Sequence, residues 1–122
     1  MSPIKREYIF YLEDMLQSME RIEEYLVEID FDKFSKTHIV IDATVRNFEI
    51  IGEAAKSVPI NIQEKYPEIP WKKIYGLRNL ISYEYFGIDY EIIWKIAKTN
   101  LPQNQIDLEK IVKRENGDLG KK

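Results

Sequence analysis

At 122 residues, with 44% hydrophobic and 32% charged side chains, the chain is long enough for one packed domain and too short for two of ordinary size. It contains no cysteine, which excludes a disulfide framework and a thiolate metal site, and nothing in it requires an oxidising compartment. The formal net charge of -3 excludes a surface coated with basic residues, so any contact with nucleic acid must be local. The opening residues MSPIKREYIF carry charge where a signal peptide needs an unbroken apolar run. No apolar stretch reaches the roughly 18 to 20 residues of a membrane span. A cytoplasmic protein without a membrane role is expected.

From Tyr8, the residues Leu12, Met15, Met19, Ile22, Leu26 and Ile29 recur at alternating spacings of four and three, which predicts a long helix with a buried heptad stripe. Glu13, Asp14, Glu20, Arg21, Glu23 and Glu24 fall on its other faces as a solvated exterior. The polar segment 30–37 offers Asp32 and Ser35 as caps for a second helix over about 36–58, closed by Pro59. In that helix Ala43, Gly52, Ala54 and Ala55 thin the side-chain layer and let a neighbour approach closely, while Arg46, Glu49 and Glu53 share one face at i, i+3 and i+7. The three form either intrahelical ion pairs or one wall of a cleft.

A short helical turn is expected over 61–66, a further helix from Pro70 to Tyr85 ended by Gly87, and another over 90–100 capped by Asp89. Leu101 and Pro102 interrupt the pattern before a last helix reaching about Lys113. No segment shows the two-residue alternation of a half-buried strand, and the short connections favour antiparallel neighbours. The fold class read from the sequence is all-α, an antiparallel up-and-down bundle of four to five helices occupying residues 1–114, with residues 115–122 a polar, disordered tail. Trp71, Tyr75, Tyr83, Tyr85, Phe86, Tyr90 and Trp94 crowd into 24 residues, more than a small core needs, so part of the cluster is expected at a dimer interface.

The segment YGLRNLISYEYFGIDYEIIWKIAKTNLP, with IDATVRNFEIIGEAAKSVP upstream, resembles the HepT-like family of the HEPN superfamily, once a family of unknown function known as DUF86. The resemblance runs from the first helix to the last. The family motif is Arg, a polar residue, three further residues, His, any residue and Tyr. Here it reads Arg78, Asn79, Leu80, Ile81, Ser82, then Tyr83 in place of the histidine, Glu84 and Tyr85. The resemblance implies a HEPN-like bundle and a homodimer that brings two copies of the motif into one cleft. It also implies metal-independent cleavage of RNA, such as tRNA or mRNA, and pairing as a toxin with an MntA-type nucleotidyltransferase antitoxin that transfers AMP onto the motif tyrosine. Carried over by position, Arg78 holds the scissile phosphate, Asn79 orients it, Tyr83 occupies the acid–base position and Tyr85 is the residue modified.

The substitution bears directly on the chemistry. Attack by a 2′-hydroxyl needs a proton acceptor, a proton donor for the leaving 5′-oxygen and positive charge on the phosphorane. Arginine suits the last task, because its planar fork binds phosphate oxygens bidentately and stays charged. Histidine suits the first two because its pKa lies near neutrality. A phenol of pKa about 10 is ionised to the extent of about one in a thousand at pH 7, and losing a general acid or base costs about 10² to 10⁴ in rate. Tyr85 shares the helical face of Arg78, whereas Tyr83 lies about 140° round it. His38, the single histidine, sits near the start of the second helix and reads as a surface residue. Glu49 or Glu53 could serve as a base if that helix packs beside the motif. No glycine-rich phosphate loop follows a strand and the carboxylates lack a spaced histidine partner, so no metal and no other cofactor is expected. The alternative reading is a catalytically silent HEPN binding module that dimerises, binds the nucleotidyltransferase and accepts AMP. A plain structural bundle is the third.

Overall fold

The computed structural model describes residues 3–77 and 89–120. In chain order its helices are α1 (Pro3–Leu26), α2 (Phe31–Lys36), α3 (His38–Ser57), α4 (Ile60–Lys65), α5 (Trp71–Tyr75), α6 (Tyr90–Lys95) and α7 (Leu101–Gly120), with a π-helical turn at Ile96–Asn100 joining the last two. No strand occurs among the described residues, so the fold is all-α as the periodicity predicts. None of the described helices is long and apolar enough to cross a membrane.

The stripe on α1 is the centre of the core. Leu12, Met15 and Met19 are fully enclosed, and Tyr8, Ile22 and Leu26 nearly so. On α3 a second stripe, Ile41, Thr44, Phe48, Ile51 and Ala55, is buried with the same alternation of three and four, and the two helices pack along their lengths. Helix α7 lies antiparallel to α1. Tyr8, near the start of α1, hydrogen-bonds Glu115 near the end of α7, while Lys98, ahead of α7, donates to the Leu26 carbonyl at the other end of α1 (2.7 Å).

Three boundaries differ from the sequence reading. The segment 30–37 forms a separate short helix: Asp30 caps α2 by accepting from the Lys33 N–H at 2.9 Å, while Asp32 pairs with Lys36 one turn on (3.2 Å) and Ser35 bonds the Asp32 carbonyl. Asp32 and Ser35 therefore act within α2, and α3 starts at His38. Pro102 does not separate two helices. It lacks an N–H and its ring crowds the carbonyl four residues back, and the wide turn just before it accommodates this, with the Leu101 N–H bonding Ile96 five residues back. The last helix continues to Gly120, so the boundary drawn at residue 114 falls inside it. Glu115 reads as tail because a carboxylate is ordinarily exposed; here it closes the buried stripe of Leu101, Leu108, Ile111 and Val112 at 1% exposure.

That carboxylate is tied down on three sides. The hydroxyls of Tyr8 and Tyr66 donate to its two oxygens, and Lys65 Nζ reaches the second at 3.0 Å. Lys65 and Arg114 also sit over the Tyr66 ring, at 5.4 and 6.0 Å from its centre. Burial alone would push the Glu115 carboxyl up, but the bonds from Tyr66, Tyr8 and Lys65 outweigh it and hold the group below its ordinary value. The Tyr66 phenol is pushed up, by burial first and then by Glu115.

Because the folded-state value of Glu115 is depressed, its contribution is present above the ordinary carboxylate range and is lost as pH falls through the folded-state value. Thermal melts from pH 7 to acid should show this loss in the parent chain and a flatter acid limb in Glu115→Gln, with Glu115→Ala costing about 1–3 kcal/mol at pH 7 by removing the acceptor that Tyr8, Tyr66 and Lys65 share. In urea denaturation, Leu12→Ala should cost about 2–5 kcal/mol, against less than about 0.5 kcal/mol for Glu13→Ala on the exposed side of the same helix.

Candidate functional site

Helix α3 presents the Arg46, Glu49 and Glu53 face away from its buried stripe. Arg46 and Glu53 are exposed and Glu49 is half-buried. A groove of about 340 Å³ runs between α1 and α3, lined by Tyr11 and Asp14 from α1 and by Arg46, Ile50, Glu53 and Ser57 from α3. Two of the three residues singled out on α3 therefore share one concavity, and Glu49 lies outside its lining. Asp14 joins them although helix one's pattern marks it only as solvated exterior, because its closeness to Arg46 is set by the packing of two helices. His38 is exposed at the first position of α3. At about 1.5 Å per residue it stands about 12 Å along the helix from Arg46 and about 22 Å from Glu53.

Arg78, Asn79, Tyr83 and Tyr85 lie outside the described residues, as do the remaining members of the 78–88 segment. What the structure describes is the frame on either side. Ahead of the motif, α5 packs against α3. It is pinned from its N-terminal side: the Trp71 indole N–H donates to the Tyr66 carbonyl at 3.0 Å, and the Tyr75 hydroxyl bonds the Gln63 side chain. The Gly76 N–H closes the helix on Lys72 (3.1 Å), and Leu77, the residue before Arg78, is buried. Beyond the motif, Asp89 caps α6 as its position predicts, accepting from the N–H groups of Glu91 (3.0 Å) and Ile92 (3.2 Å).

Of the aromatic cluster, Trp71 is buried in the chain's own core and Trp94 packs on Phe34 and Phe31, with ring centres 5.3 and 6.0 Å apart. Tyr75 and Tyr90 are partly buried against the same core. A second concavity of about 240 Å³ lies between α5 and the π-turn, and Leu77 forms part of its wall together with Lys73, Ile74, Ile96, Asn100 and Asn104. The sequence reading did not single out Lys73, Asn100 or Asn104. They belong to different helices, and only the fold brings them together.

The family model described as Ribonuclease HepT-like matches residues 15–113. The chain belongs to the HepT-like family. Among its HepT-like relatives are a "Putative RNase" of Methanocaldococcus jannaschii, 38% identical over 105 residues that cover 86% of this chain and 96% of that protein, and a "Putative RNase" of Caldanaerobacter subterraneus, 39% identical over 105 residues that cover 86% of this chain and 94% of that protein. The "Probable ribonuclease HepT" of Thermococcus cleftensis is 37% identical over 110 residues, which cover 90% of this chain and the whole of that protein. No solved structure matches the chain. The matched span takes in the Arg78 segment and the framing helices α3, α5 and α6.

The Asp89 cap is the polar device closing this frame on its C-terminal side. Asp89→Ala should cost about 0.5–2 kcal/mol in urea denaturation, while Asp89→Asn, which keeps an oxygen acceptor, should stay near the parent value.

Proposed function

We propose that this chain is a metal-independent endoribonuclease toxin of a HepT/MntA-type toxin–antitoxin pair, slowed at its acid–base position by Tyr83. The observation that carries the reading is membership of a ribonuclease family over residues 15–113, a span that contains the Arg78, Asn79, Tyr83 and Tyr85 pattern. In this reading two chains form a homodimer in the cytoplasm with the motif of each copy at a shared cleft. Arg78 binds the scissile phosphate of a tRNA or mRNA, and Asn79 orients it. The 2′-oxygen bonds to phosphorus, the bond to the 5′-oxygen breaks, and a proton passes from the one oxygen to the other through the group at position 83. A phenol is poorly matched to that transfer near neutrality. Arg46 and Glu53, sharing the α1–α3 groove, and Glu49 on the same helix would flank the cleft. The antitoxin partner, an MntA-type nucleotidyltransferase, would place AMP on Tyr85.

The absence of histidine at position 83 favours a second reading, in which the chain is a catalytically silent HEPN module that dimerises, binds the nucleotidyltransferase and accepts AMP.

The discriminating assay follows cleavage of bulk tRNA in EDTA by the parent chain, by Tyr83→His and by Tyr83→His with Arg78→Ala. The histidine form should cut about 10² to 10⁴ times faster than the parent, and Arg78→Ala should abolish the gain. Cleavage by neither form would remove the support for a ribonuclease and leave the silent module as the better account.

A further inference from the structure

The groove beside α5 has a composition that the catalytic reading leaves unused. Its walls are apolar, formed by Ile74, Leu77 and Ile96, and its polar groups are one cation, Lys73, and two primary amides, Asn100 and Asn104. We propose that it holds one unpaired base of the RNA next to the cut, with adenine preferred, a proposal that rests on the ribonuclease reading.

Four observations support it. Leu77, in the groove wall, is the residue immediately before Arg78, to which the ribonuclease reading assigns the scissile phosphate. Ile96 and Asn100, at the two ends of the π-turn that accommodates Pro102, both line the groove, and wide turns of this kind are frequent at functional sites. The volume of about 240 Å³, open on one side, is of the order of the small end of ligand pockets. The amides supply the selectivity. Each side-chain amide offers a donor and an acceptor side by side, the pair that reads the N7 and N6 edge of adenine. The adenine N6 amino group carries two hydrogens and can serve both amides, whereas uracil has a single N–H donor. The Thr99 hydroxyl, which donates to the Lys95 carbonyl, lies 3.3 Å from the Asn100 carbonyl oxygen. Lys73 is exposed and suits the adjoining phosphate.

The test is fluorescence anisotropy of the full chain with a short labelled oligouridylate and with the same oligomer carrying one adenosine. The adenosine oligomer should bind about tenfold tighter, within the range of a bidentate amide contact. Asn100→Leu and Asn104→Leu, each checked for retained helicity by circular dichroism, should reduce the ratio to within about twofold. Lys73→Ala should weaken both oligomers alike and lower the salt slope by about 0.7. Equal affinity for the two oligomers, or a preference that survives both asparagine substitutions, would overturn the proposal. So would cross-linking that finds Lys73 covered by a second copy of the chain. The tRNA cleavage assay run in parallel separates the two readings: cleavage without adenosine preference sinks the groove alone, while preference without cleavage by Tyr83→His sinks the ribonuclease reading and leaves an RNA-binding groove.

Discussion

Taking a carboxylate out of water costs several kcal/mol unless its lone pairs find donors in the new surroundings, and Glu115 meets that condition only when three distant parts of the chain come together. Tyr8 belongs to α1, Lys65 and Tyr66 to α4 and the residue that ends it, and Glu115 to α7. The sequence separations of 107, 49 and 50 residues mean that each of these bonds forms only once α7 has docked on α1 or beside α4. Apolar stripes alone specify the axial register of two helices less sharply than directional bonds do, because hydrophobic burial is non-directional.

The same node extends toward the motif. Tyr66 offers its hydroxyl to Glu115 and its backbone carbonyl to the Trp71 indole, so the residue that anchors the last helix also fixes the start of α5. From there Ile74 and Leu77 seat the chain in the core up to the residue before Arg78. On the far side Asp89 sets the start of α6. The scaffold thus fixes Leu77 immediately ahead of the Arg78 segment and the Asp89 cap immediately after it.

The bundle was legible in the sequence wherever a periodic apolar pattern could carry it. The stripe from Tyr8 to Leu26 is buried as the spacing predicts, and Pro59 ends α3 through the residue before it, with Val58 extended. The errors fall where a tertiary partner decides. Glu115 looks like tail until Tyr8, Tyr66 and Lys65 surround it. Asp32 looks like a cap for the helix over 36–58 until α2 takes it in and leaves Thr37, which makes no side-chain cap bond, at the start of α3, and Pro102 looks like a break because the pattern cannot show a π-turn ahead of it. The candidate site divides in the same way. The Arg78 to Tyr85 pattern rests on the family resemblance and lies outside the described residues, whereas the Arg46 and Glu53 face could be read from linear spacing. The company of Asp14 in one groove and the meeting of Lys73 with Asn100 and Asn104 in the other could not, because each joins helices far apart in the chain.

We propose that this scaffold presents an arginine-centred, metal-independent site for transesterification of RNA. The most direct measurement is end-group analysis of the RNA fragments released in EDTA by the Tyr83→His chain. Attack by the neighbouring 2′-oxygen leaves a 2′,3′-cyclic phosphate on one fragment and a 5′-hydroxyl on the other, and the account predicts those ends. Fragments with 5′-phosphate and 3′-hydroxyl ends, which require an external water as nucleophile, would contradict it.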